Sequence, residues 1–256
     1  MWLSAPDPST NYRNVLKQYC NNTGLWFLES DQYVNWKRHA AFSLWLYGIP
    51  GCGKTVLSSA ILRDVLQHCD NDPGKVVVYF YFDFKDTQKQ DPELMLRSLI
   101  YQLLQQCFWI PRSIDMLYFS CDNGQRQPSL FELLEVMQQM IQEFPHVYII
   151  LDALDECTKH SQLGGILKTM AGGQPQNLHV LVTSRRERYI ESLLAGFIDQ
   201  ENMVCMTSKS IDMDIEIYVQ QRLSNDRSLR KWQTNVTARQ DIQTSLMKGA
   251  RGMYGY

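Results

Sequence analysis

Apolar residues along the chain fall into two kinds of run. Short, nearly unbroken blocks occupy residues 42–47 (FSLWLY), Val76–Asp83 (VVVYFYFD), Val147–Asp152 (VYIILD) and His179–Ser184 (HVLVTS), with a weaker one near Met203–Met206. Blocks of strand length that do not alternate with polar residues predict strands covered on both faces, as in a parallel sheet between helical layers. Between them the apolar positions recur at helical spacing. Val56, Leu57, Ala60, Ile61 and Val65 predict a helix after the first block. Leu96, Leu99, Ile100, Leu103 and Leu104 predict another, opened by Asp91-Pro92-Glu93 as N-cap, first-position proline and early acid. Leu130, Leu133, Leu134, Met137 and Ile141 predict a third, opened by the capping-box spacing of Ser129 and Glu132. Strands alternating with helices imply a doubly wound α/β fold, whose ligands lie beyond the carboxyl ends of the strands.

After Met206 the pattern changes. Ile211, Ile215, Tyr218 and Leu223 are spaced for a helix, a polar stretch begins at Ser224, and weak apolar periodicity returns at Ile242, Leu246 and Met247. This reads as the start of a helical appendage. With no internal repeat evident, the expected organisation is an N-terminal extension over 1–40 that leads into the site, a core over 41–208, and a partial appendage over 209–256. The final KGARGMYGY carries three glycines and no clear structural terminus, so the natural module is expected to be longer.

Length and composition narrow the class. The 256 residues suffice for a full core, and 45% hydrophobic with 20% charged residues is ordinary for a globular domain. Twenty-five basic residues against 27 acidic ones give a net charge of −2, which provides no electrostatic case for nucleic acid or an anionic membrane as the main partner. The seven cysteines form no C-x-x-C pair and are odd in number, which argues against a disulfide framework or a zinc site and for a reduced, cytoplasmic setting. The amino terminus lacks a signal-peptide pattern, and no apolar run approaches the ~20 residues that span a bilayer.

The chemistry begins immediately after the first apolar block. Residues 48–55 read GIPGCGKT, the pattern G-x-x-x-x-G-K-[ST] in which a glycine-rich turn leads into a helix. Gly48, Gly51 and Gly53 permit backbone angles that let successive N–H groups converge on an anion, so the candidate binding stretch runs from Ile49 and Pro50 through Cys52 to Val56. Lys54 would reach the β- and γ-phosphates, Thr55 would ligate Mg²⁺, and the helix would point its positive end at the same charge. Cys52 could be oxidised or alkylated, or could simply be a variable loop position. A second constellation, VYIILDALDE, ends an apolar strand in acids. Asp152 would hold the hydration shell of Mg²⁺ together with Thr55, and either Asp155 or Glu156 could orient an attacking water. In the third, HVLVTSRRE, Thr183, Ser184 and Arg185 leave a strand where they could sense a γ-phosphate, with Arg185 the better candidate and Arg186 a surface residue.

GIPGCGKT, ILDALDE and LVTSRRE, preceded by WLSAPDPSTNY and GLWFLESDQYVNWK, resemble the NACHT domain of fungal STAND-class NTPases, relatives of the NOD-like receptors. The resemblance spans roughly residues 1–222, and a small residue after the Mg²⁺-binding acid followed by an acidic pair makes it specific. It implies a five-stranded sheet of order 5-1-4-3-2 and a switch controlled by ATP, or sometimes GTP, that hydrolyses slowly and self-associates through the nucleotide domain. By position it casts Lys54 and Thr55 as the Walker A pair, Asp152 as the Mg²⁺ acid, Asp155 or Glu156 as the water-orienting acid, and Arg185 as the sensor. Thr23, Gly24, Leu25 and Trp26 align with the segment lying against the nucleobase, although Trp26 and Phe27 could equally be core packing. An effector domain ahead is implied too. Behind, the family has a winged-helix domain that brings a histidine to the β-phosphate of ADP, then ankyrin or WD40 repeats, and none of these lies within the 256 residues. Two other readings compete: a conventional phosphate-loop ATPase or kinase that turns over a substrate, and an interaction module that has lost its nucleotide.

Overall fold

A computed structural model describes residues 2–17, 19–20, 22–39, 42–172, 175–225, 229 and 236–250. The glycine-rich end beyond residue 250 lies outside the described residues. Five parallel strands, β1 (Ser43–Tyr47), β2 (Lys75–Tyr81), β3 (His146–Asp152), β4 (Leu178–Ser184) and β5 (Met203–Cys205), form one sheet of order β2-β3-β4-β1-β5. Read from the other edge this is the expected 5-1-4-3-2, and all five strands coincide with the apolar blocks to within two residues at either end. The second block stops short of Asp83 because Phe82 N–H reaches back to Asp152 O (3.0 Å) and Asp83 N–H turns to Lys89 O (3.2 Å).

Parallel neighbours require crossovers, and helices provide them. The principal ones are α4 (Lys54–Cys69), α5 (Pro92–Gln106), α6 (Arg112–Ser120), α7 (Leu130–Gln142), α8 (His160–Ala171) and α9 (Arg188–Leu194). Ahead of the sheet lie α1 (Ser9–Leu16), α2 (Leu25–Leu28) and α3 (Asp31–Arg38); after it come α10 (Ser208–Asn225) and α11 (Val236–Ala250). The caps form as the sequence implies. Asp91 accepts from Glu93 N–H (2.9 Å), while Ser129 Oγ accepts from Glu132 N–H and Glu132 returns to Ser129 N–H (2.7 Å).

Successive strand residues point to opposite faces, which divides the core in two. Val76, Val78 and Phe80 join Val147, Ile149 and Leu151 under α5, α7 and α8. Val77 and Tyr81 join Tyr148, Ile150 and Leu181 under α3, α4 and α10, where Trp36, Ile61 and Ile215 fill the layer. Burial on both faces is the physical reason the strands read as unbroken apolar runs. At the outer edge of the sheet, side chains from α5 stand in for a missing strand: Gln102 accepts from Tyr79 N–H (3.0 Å) and donates to Tyr79 O (2.9 Å), and Gln106 donates to Val77 O (3.1 Å).

Histidines meet at the amino ends of β3 and β4. His179 is fully buried, stacked on Tyr148 at 4.2 Å, and its Nδ1–H donates to Trp36 O at 2.7 Å. Its Nε2 must then accept, and His146 Nδ1–H donates to it at 3.2 Å. Burial, outweighing the bond to Trp36 O, lowers the His179 pKa from 6.5 to about 4. Since the unfolded chain binds the extra proton first, this neutral histidine contributes full stability above pH 6.5 and loses it as pH falls toward 4. Replacing it, as in His179→Gln, is expected to remove about 2 kcal/mol of the pH dependence between pH 7 and pH 5, read as urea midpoints at those two pH values.

One backbone position is strained. Ala153, just past β3, sits at φ 58° and ψ 51°, the left-handed region in which a Cβ crowds the carbonyl. Ala153→Gly is expected to stabilise the fold by about 0.5–1 kcal/mol, and Ala153→Val to destabilise it by more than about 1 kcal/mol, in the same urea assay.

Candidate functional site

The sheet delivers its functional residues to one end. β1 runs into Gly48, α4 begins at Lys54, and between them Gly51 and Gly53 adopt φ of 73° and 91°, which side chains resist. Gly48 is fixed by space instead: a Cβ there would lie 2.7 Å from Cys52 Sγ and 3.2 Å from Met206 Cβ. No side chain caps α4 and its first turn holds no acid, so the helix presents its amides and positive end toward the loop. Ile49, Pro50 and Gly51 are exposed at the loop's rim, and Val56 lies half-buried on the first turn. Lys54 Nζ spans the turn, donating to Gly48 O (3.0 Å) and Ile49 O (2.9 Å).

Thr55 and Asp152 meet. Thr55 Oγ1 donates to Asp152 Oδ2 at 2.7 Å, bringing α4 and β3 together at the carboxyl end of the sheet. Asp152 is 1% exposed. Burial raises its pKa, opposed by the hydroxyls of Thr183 and Thr55 and by the Lys54 charge. Thr183 meets the same carboxylate from β4. It is fully buried, its Oγ1 donates to Asp152 Oδ1 (2.7 Å) and accepts from Ala153 N–H (3.0 Å). Ser184 is likewise buried and accepts from Trp45 Nε1–H (2.8 Å), so both residues brace the strand ends.

The acidic pair divides. Asp155 is occupied on both oxygens by Arg185: its Oδ1 accepts from Arg185 N–H (2.9 Å) and its Oδ2 lies 2.9 Å from Nε, with the carboxylate 4% and the arginine 46% exposed. Glu156 instead accepts from Phe84 N–H through Oε2 (2.8 Å), and burial raises its pKa, with Asp155, Asp83 and Asp152 adding smaller repulsions. Arg186 pairs with Glu191 and lies 5.1 Å over the Tyr47 ring, at 60% exposure a surface residue as read from the sequence.

The N-terminal segment reaches the same end. Thr23 and Gly24 line a crevice with Cys52, Gly53, Val56, Leu57, Met206 and Asp214, holding about 10 Å³ of solvent room, one water's worth. Trp26 lies outside its lining, edge-on to Phe27. Asp214, on α10, accepts from Gly24 N–H (2.9 Å) and Trp26 Nε1–H (3.0 Å), and burial raises its pKa. Sequence reasoning passed over Asp214 and Met206. An acid among Ile211, Ile215 and Tyr218 on an otherwise apolar stripe was the available signal for the first, and nothing marked the second. Cys52 is fully buried, with burial pushing its thiol up, so the loop offers a poor thiolate. Among the described residues no group of three or more His, Cys, Asp or Glu could hold a metal, and no helix is long and apolar enough to cross a membrane.

No curated protein matches the chain. Among solved structures, Drosophila ORC bound to AT-rich DNA and Cdc6 is similar at 15% identity and a TM-score of 0.42, covering 93% of this chain and 83% of that one. Drosophila ORC bound to DNA is similar at 14% and 0.49, covering 95% of this chain and 61% of that one. The Aeropyrum pernix ORC2 protein, in ADPNP–ADP complexes, stands at 13% and 0.43, with 84% of this chain and 53% of that one covered. The family model described as nephrocystin 3, N-terminal, matches residues 22–185. That stretch opens just before Thr23 and Gly24, closes on Arg185, and encloses the phosphate-loop motif and both acidic elements. With more than half of its length matched, the chain belongs to the nephrocystin 3, N-terminal, family.

Proposed function

We propose that the chain is a nucleotide switch of the NACHT type, binding ATP, or alternatively GTP, with Mg²⁺ over residues 48–56 and hydrolysing it slowly. In this reading it controls self-association and effector signalling in the cytoplasm, as in fungal NOD-like receptors, with effector and repeat domains in the longer protein. The observation that carries the reading is the 2.7 Å contact of Thr55 with Asp152 beside an uncapped helix start and the Lys54 ammonium. A hydroxyl and a carboxylate are hard oxygen donors that suit Mg²⁺, and a carboxylate withdrawn from water gains much from a nearby cation. Thr55 and Asp152 would hold the ion, which supplies charge neutralisation on the phosphates. Lys54 would exchange its two loop carbonyls for phosphate oxygens. The base would enter at Thr23 and Gly24, where the crevice must widen around Leu57, Met206 and Asp214.

Hydrolysis adds water to the γ-phosphorus and breaks its bond to the bridging oxygen, releasing diphosphate nucleotide and phosphate. Glu156 is the acid we assign to orient that water and take its proton, because Arg185 occupies both oxygens of Asp155. Asp155 then positions Arg185, the candidate sensor of the γ-phosphate. None of the seven cysteines is in a disulfide, in keeping with a reduced compartment.

Titrating ATP with Mg²⁺ should raise stability by about 2.7 kcal/mol at a hundredfold excess over Kd, and Lys54→Ala should abolish the shift. A parent protein whose melting is indifferent to ATP and GTP would sink the proposal. Glu156→Gln should keep nucleotide affinity within about twofold while lowering single-turnover hydrolysis by ~100-fold or more. Because burial raises the Glu156 pKa above the ordinary 4.5, the parent rate should fall off on the acid side at a higher pH than an ordinary glutamate allows. Turnover in the ~1–100 s⁻¹ range would instead favour a kinase-like enzyme.

A further inference from the structure

At the end of the sheet opposite the phosphate loop, large apolar side chains stand in solvent. Gln106, which closes α5, bonds Val77 near the start of β2, and the chain then runs Phe108-Trp109-Ile110 at 85%, 72% and 63% exposure before α6 begins. On α6 itself Met116 (59%) and Phe119 (64%) lie one turn apart on an outward face. At roughly 200 Å² per such side chain, these five expose on the order of 700 Å², above the ~300–600 Å² of the largest patch on a typical monomer. The figure is about what one partner contributes to a standard interface.

The charges within the patch indicate what covers it. Arg112 and Asp115 are both exposed on the first turn of α6, between the Phe108–Ile110 segment and the Met116–Phe119 face. A two-fold axis between positions 112 and 115 sets Arg112 of each copy against Asp115 of the other. The same axis lays each copy's Phe108–Ile110 segment over the other's Met116 and Phe119, so a single surface complements itself, as a two-fold interface requires. A bilayer offers the pair no such partner, and only one basic residue, Arg112, lies in the segment to meet lipid headgroups.

We propose that a second copy of this chain docks on this surface, with α6 antiparallel to α6. The contact does not depend on nucleotide, since the phosphate loop lies at the other end of the strands.

Sedimentation of the purified protein from about 1 to 100 µM should show a monomer–dimer equilibrium. Trp109→Ser and Phe119→Ser, at exposed positions where folding is undisturbed, should each weaken dimerisation by about tenfold or more. Arg112→Asp or Asp115→Arg alone should weaken it, and the two together should restore it. Lys54→Ala should leave it unchanged, which separates this result from failure of nucleotide binding. A monomer throughout the range, a dimer indifferent to these substitutions, or a double swap that fails to restore would overturn the proposal. So would a monomer that floats with phosphatidylcholine vesicles and loses that binding in Trp109→Ser, which would make the patch a membrane contact.

Discussion

A carboxylate shut away from water at the tip of a central strand governs the arrangement of this molecule. Asp152 is 1% exposed, and an anion so placed is costly unless donors surround it. Thr183, from the neighbouring strand, and Thr55, from the first turn of α4, supply two hydroxyls at 2.7 Å. Those two bonds join three elements of the fold, β3, β4 and α4. They fix how far β4 extends beside β3, and they bring the start of α4, with its unpaired amides, over the sheet's carboxyl end. The strain at Ala153 belongs to the same constraint, because its N–H completes the contact with Thr183 Oγ1.

Around that centre, charge is arranged in pairs that hold one another back. Lys54 rests on two loop carbonyls, Arg185 on Asp155, and Glu156 on a backbone amide. In the proposed reading the two cations, Lys54 and Arg185, would exchange these partners for phosphate oxygens, whereas Glu156 would address the attacking water. Asp214 extends the pattern to the helical appendage, where a single carboxylate holds Gly24 and Trp26 of the N-terminal segment. Movement of α10 and the proposed entry of a base at Gly24 would thus concern the same two hydrogen bonds.

The strands were legible in the sequence for a physical reason: with both faces covered, VVVYFY and VYIIL have no solvent side on which to place polar residues. The caps of α5 and α7 were legible because Asp91 and the Ser129–Glu132 pair act locally. Other helices escaped notice. In α3, Asp31, Gln32, Asn35, Lys37 and Arg38 outnumber the buried Tyr33 and Trp36, and α8 is interrupted by Gly164-Gly165. At the site, GIPGCGKT and LDALDE could be recognised from spacing alone. The brace from Thr183 to Asp152 could not, since it depends on the register of β3 against β4, which pairs Leu151 with Val182 one step earlier. The choice between Asp155 and Glu156 was likewise hidden, because it rests on where Arg185 turns.

Gln102 and Gln106 have a consequence for the life of the protein in crowded solution. By filling the bonding positions of Tyr79 and Val77 with side-chain amides, they remove the template on which a foreign strand could crystallise its backbone. The opposite margin, β5, is only three residues long. Neither margin of the sheet therefore presents a long row of unpaired amides and carbonyls on which the sheet of a neighbouring copy could build.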